Sequence, residues 1–78
     1  MDGLLQELQD RFGHREGLRI FNVIMPGIMG DFNRMLKKAA AGSPVFEEYR
    51  LEDGSGVIRM KGTRGADGKV SVEGHLVK

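Results

Sequence analysis

Apolar positions recur along this chain in two rhythms, helical in the first half and alternating in the second. Leu4, Leu5, Leu8 and Phe12 fall at helical spacing, with Gln6, Glu7, Gln9, Asp10 and Arg11 around the rest of the circumference. Asp2 is placed to cap the front of this helix, and Gly13 stands where a left-handed residue closes one. A helix of about ten residues is marginal alone, so its apolar stripe must dock on something. After a polar break at residues 14–17, residues 18–25 read Leu-Arg-Ile-Phe-Asn-Val-Ile-Met, rich in β-branched and aromatic side chains. That composition favours a strand buried on both faces. Helix is the alternative, because periodicity cannot assign so short an apolar run.

Pro26 opens a clearer pattern. Ile28, Met29, Phe32, Met35, Leu36, Ala39 and Ala40 form a helical stripe opposite Asp31, Arg34, Lys37 and Lys38, which predicts a helix over 26–41. Proline suits the first turn, and Gly42-Ser43-Pro44 is a strong stop. Gly27 and Gly30 weaken the first turns, each by about 1 kcal/mol relative to alanine.

The last third predicts a three-stranded antiparallel meander over 45–77, with strand-like runs at 45–52, 57–64 and 69–77. A three-residue hairpin loop, Ala66-Asp67-Gly68, sets Gly65 opposite Lys69, Ile58 opposite Leu76 and Gly62 opposite Val72. A four-residue loop at 53–56 sets Leu51 opposite Ile58 and Tyr49 opposite Met60. Both turns then place the same apolar set on one face. The other face puts Lys61 between Glu48 and Glu73, and leaves Arg50 opposite Arg59 as its one unfavourable pair. The expected fold is thus a single two-layer α+β domain over 1–78. Its order is N-terminal helix, strand or helix 18–25, helix 26–41, then the meander, with the Met35 and Leu36 stripe over the Tyr49, Ile58 and Val72 face. If 18–25 is a strand, it pairs at a sheet edge or with a second molecule.

Size and charge narrow the function. Seventy-eight residues make one small domain near the stability margin. With no cysteine, disulfides and thiolate metal sites are excluded, and only His14 and His75 remain as imidazole ligands. A formal charge of +1 gives no global pull toward nucleic acid or anionic membrane. No basic segment precedes an apolar run at the start, and the greasiest stretch, 20–29, is shorter than the ~20 residues of a membrane span. A soluble, cytoplasmic protein is expected, with no membrane contact.

Catalytic chemistry lacks participants. Ser43, Ser55 and Ser71 have no His-Asp partner at a suggestive spacing, and Asp53-Gly54-Ser55-Gly56 lacks the alternating oxygen ligands of a calcium loop. The expectation is a non-enzymatic protein without metal or cofactor.

Two binding readings follow. Phe21, Met25, Ile28, Met29 and Phe32 are more apolar than one thin domain can easily shelter, which points to an interface in the 18–36 region. On that reading the protein is an interaction, adaptor or inhibitor-type module that self-associates or takes a protein partner. The alternative rests on Gly27-Ile28-Met29-Gly30, whose spacing resembles the GXXG loop of KH nucleic-acid modules, although basic residues usually stand between those glycines. The resemblance covers the loop, the helix after it and one hairpin. It implies phosphate contacts from Gly27, Gly30, Arg34, Arg59, Lys61 and Arg64.

Overall fold

The computed structural model describes residues 3–51 and 54–77, so Asp2 as a helix cap and Glu52 and Asp53 in the first hairpin lie outside the described residues. Three helices come first, α1 (Leu4–Phe12), α2 (His14–Arg19) and α3 (Met25–Lys38), with a π turn (Ile20–Ile24) joining the last two. Three strands follow, β1 (Val45–Arg50), β2 (Val57–Arg64) and β3 (Val70–Leu76), in sheet order β1-β2-β3. The fold is α+β, with the helices preceding an antiparallel meander.

Residues 18–25 are helical, not the strand that their composition favours, and the polar residues at 14–17 open α2 instead of breaking the chain. The reason lies in the spacing of what is buried. Gly17, Ile20, Met25, Ile28, Phe32 and Leu36 point inward, and each step is three or four residues except Ile20 to Met25, which is five. A uniform α-helix would carry that stripe off the core. The π turn absorbs the extra residue, with Met25 N–H bonding to Ile20 O. Pro26 follows directly. Its ring clashes with the carbonyl four residues back and it has no N–H to donate, so the wider turn falls where a regular one is hardest to build. The backbone is therefore helical from 14 to 38, about 37 Å at 1.5 Å per residue, close to the 39 Å long axis of the molecule.

Gly13 turns the chain between α1 and α2 with φ 93° and ψ 162°, a region that essentially only glycine occupies. It needs glycine, as its position predicts, but in an extended positive-φ geometry and not the helical left-handed one. α2 then folds back on α1 at Gly17, where a Cβ would sit 2.5 Å from Gln9 N and 2.7 Å from Leu8 C. Leu4 and Leu8 are thereby carried into one core with Ile20, Met25, Ile28, Phe32, Leu36, Leu51, Ile58 and Met60. α1 lies against β3, and α3 lies across β1 and β2. Gly62 makes room for that crossing, since a Cβ there would come within 2.8 Å of the Phe32 ring.

The β2–β3 register is the expected one: Ile58 faces Leu76, Gly62 faces Val72, Lys61 faces Glu73 and Arg64 faces Val70. The β1–β2 register differs by two residues, with Tyr49 opposite Ile58, Glu48 opposite Arg59 and Phe46 opposite Lys61. The ladder is closed one residue earlier than expected, by Leu51 N–H to Gly56 O at 2.9 Å. Moving a hairpin loop by one residue moves its register by two, and a shift of two preserves the face. The buried set therefore survives, while the cross-strand partners change. Arg50 faces Val57, which removes the Arg50–Arg59 clash. α3 ends at Lys38, short of residue 41, with Ala39 already extended.

The glycines of the long helix differ in what surrounds them. Gly17→Ala should destabilise by roughly 2 kcal/mol or more, because the new methyl meets backbone that cannot move aside. Gly27 has nothing within 4 Å of a built Cβ, so Gly27→Ala should stabilise by up to about 1 kcal/mol. Urea unfolding of the two variants checks both signs.

Candidate functional site

The basic side chains singled out in the sequence are employed by the fold. Arg64, on β2, reaches the end of α3 and donates to Leu36 O at 3.1 Å and Ala39 O at 2.6 Å. A guanidinium there satisfies orphan carbonyls and sits at the negative end of the helix dipole. Arg59 donates through Nε and Nη2 to Oε2 of Glu48, at 3.0 and 2.8 Å. Lys61 Nζ lies 5.7 Å from the centre of the Phe46 ring, a cation–π contact. Arg34 pairs with Asp31 at 3.3 Å on the surface of α3. Gly27 and Gly30 lie inside α3, so no loop joins two helices there.

The apolar residues of the 18–36 region divide differently from expectation. Met25, Ile28 and Phe32 are core residues at 2%, 8% and 0% exposure, and Phe21 and Met29 are half-buried against that core. Most of the apolar residues that suggested an interface are thus turned toward the protein's own core, while Leu18 and Val23 of the same region stay exposed. With 18–25 helical, one side of the run turns inward and α1 covers part of what the sheet cannot. Leu18, Val23, Phe46 and Val70 remain exposed, spread over helix and sheet.

Tyr49 and Glu7, like Arg64, make polar contacts between distant segments that join the layers. The Tyr49 hydroxyl donates to Asp31 Oδ2 at 2.7 Å, tying β1 to α3. Burial, the hydrogen bond to Asp31 and the nearby carboxylates of Asp31 and Glu47 raise the Tyr49 pKa well above the ordinary phenol value, with Arg34 opposing them. Glu7 on α1 accepts the Leu76 amide at 3.3 Å through one oxygen and lies 3.2 Å from His75 Nδ1 through the other. His75 Nε2 is 3.6 Å from Glu73. Among the described residues no three His, Asp or Glu side chains are grouped so as to hold a metal ion.

Glu7 also bears on the sheet edges. β3 is closed at its end by α1, its outward Leu76 amide taken by a carboxylate. β1 packs only on β2 and α3 among the described elements, so its outer edge is open. The bond from Leu51 N–H to Gly56 O fixes which groups point outward. Hydrogen-bonded pairs alternate from there, so Val45, Glu47 and Tyr49 bond β2, and Phe46, Glu48 and Arg50 turn their N–H and C=O away from it. The Glu48 amide meets only its neighbour's carboxylate, Glu47 Oε1, at 3.3 Å. A shallow hollow of about 450 Å³ lined by Phe46, Glu47, Glu48 and Arg59 adjoins this edge. No residue on β1 was a candidate in the sequence, where Phe46 beside Glu47 and Glu48 breaks any polar alternation; the alternation is one of burial and is seen only in the folded strand. The Glu7 contact had no sequence signal, as its partners lie 68 and 69 residues away.

Comparison with known protein families, curated proteins and solved structures finds no match.

Arg64→Ala should cost about 1–3 kcal/mol by leaving the α3 carbonyls without a charged donor, with amide exchange in the last turn of α3 accelerated first. Tyr49 is the only tyrosine, so its phenolate absorbance reports one group. It should ionise later in the folded protein than after unfolding. Because the folded form holds its proton longer, the native state binds more protons as pH rises past the unfolded phenol value near 10. Stability should be intact below that value and fall above it. Tyr49→Phe should flatten that alkaline slope in urea melts.

Proposed function

We propose that the protein is a non-enzymatic interaction module that takes an extended protein segment by strand addition along β1. What supports this reading is the edge of β1: Phe46, Glu48 and Arg50 turn their backbone groups outward and no other described element packs there, whereas α1 reaches the end of β3 and occupies the Leu76 amide. An exposed strand edge is a template for main-chain pairing, which supplies affinity, while side chains on alternate positions supply selectivity. The contact surface is thus placed on β1 and not on the apolar 18–36 region, whose central residues serve the protein's own core. The nucleic-acid alternative draws no support from basic residues already committed to Glu48, Asp31, the Phe46 ring and the end of α3.

The test uses short extended peptides of alternating valine and threonine, added to isotope-labelled protein. Shifts and slowed exchange confined to the amides of Phe46, Glu48 and Arg50 support the reading. Glu48→Pro removes one outward amide without touching the β1–β2 ladder, as edge strands tolerate, and should weaken that binding at least tenfold. Unchanged edge amides at millimolar peptide overturn the proposal.

A further inference from the structure

We infer that the segment β1 accepts is β1 of a second copy, giving a two-fold, six-stranded antiparallel sheet with Tyr49 at its centre. The inference rests on strand addition at β1 and adds the identity of the partner. Parity restricts the choice. Only Phe46, Glu48 and Arg50 direct backbone groups outward. A two-fold axis at Phe46 or Arg50 would pair just one outward residue within the strand, which leaves centres at Glu47, Glu48 and Tyr49. Centring on Glu47 sets two Glu47 carboxylates face to face, and centring on Glu48 does the same with Glu48. Like charges directly opposite are destabilising. Centring on Tyr49 instead sets Glu48 of each copy opposite Arg50 of the other, so two opposite-charge pairs form by one symmetry operation.

The groups needed for those pairs are at hand. Both contacts from Arg59 fall on Oε2 of Glu48, leaving Oε1 for an incoming guanidinium. Arg50 is exposed and has no ionic partner among the described residues. Each seam would then read Arg59, Glu48, Arg50 across the open face of the sheet, cation and anion alternating. The Tyr49 side chains lie on the helix-covered face, each held back by Asp31 at 2.7 Å, and α3 of each copy stays over its own β1 and β2. The bond from the Glu48 amide to Glu47 Oε1, long and exposed at 3.3 Å, is exchanged for a ladder bond.

A charge exchange tests the assignment. Sedimentation of the full chain from micromolar to millimolar concentration should show a reversible dimer. Arg50→Glu makes the pair Glu–Glu, and Glu48→Arg makes it Arg–Arg, so each variant alone should dimerise about tenfold more weakly or worse. An equimolar mixture of the two restores both pairs in the heterodimer and should recover association to near the original level. Circular dichroism confirms that each variant is folded. Should Glu48→Arg fail to fold, a mixture of labelled and unlabelled original protein serves instead, and an intermolecular contact between the Tyr49 α-protons supports the register. A monomer at every concentration, or a dimer indifferent to both substitutions, overturns the inference. Peptide binding at the β1 amides in a protein that stays monomeric would sink the second-copy assignment and leave strand addition standing, whereas edge amides silent to peptide and to concentration would sink both.

Discussion

The structure turns on keeping one apolar stripe in phase along 25 helical residues. Ile20 and Met25 must both face the common core although five residues separate them, and only a wider turn between them allows it. If that turn were regular, Met25, Ile28, Phe32 and Leu36 would rotate by roughly one residue's arc, about 100°. The core would lose its principal face. The wide turn lies immediately before Pro26, so the residue least able to continue a regular helix marks the place where irregularity is needed.

From this constraint the rest of the helical layer follows. With 14–38 running as one rod, the sheet covers the part that α3 presents, and α1 must cover the rest. The one-residue corner at Gly13 and the close approach at Gly17 bring α1 back against α2, so Leu4 and Leu8 reach the common core. Two bare glycines thus do in backbone geometry what a disulfide or metal does in other small domains.

Polar groups are spent on joining layers. Arg64 closes α3 from the sheet, Tyr49 holds Asp31, and Glu7 reaches across to β3. Basic residues that look available for phosphates in a linear reading are engaged once the strands are laid side by side. The outcome is a mixed, largely neutralised open face and an edge at β1 that no other described element covers. That edge is where a small domain with little exposed apolar surface has most to gain from a partner, since unpaired backbone groups bring several hydrogen bonds together at once.

The chain by itself determined what depends on neighbours a few residues apart. The stripes of α1 and α3, the glycine at 13 and the second hairpin all follow from local spacing and turn chemistry, and the β2–β3 register came with them. The first hairpin was legible as to face but not partner, because side chains alternate with a period of two and a slip of two residues leaves that pattern unchanged. Only tertiary structure decided residues 18–25. Their uniform apolar composition is compatible with strand or helix, and their off-phase spacing makes sense only against a core that demands it. The same holds for the bare edge at β1, for Arg64 at the end of α3 and for Glu7 against β3. Each joins residues far apart in sequence, and no local pattern encodes a meeting that packing alone brings about.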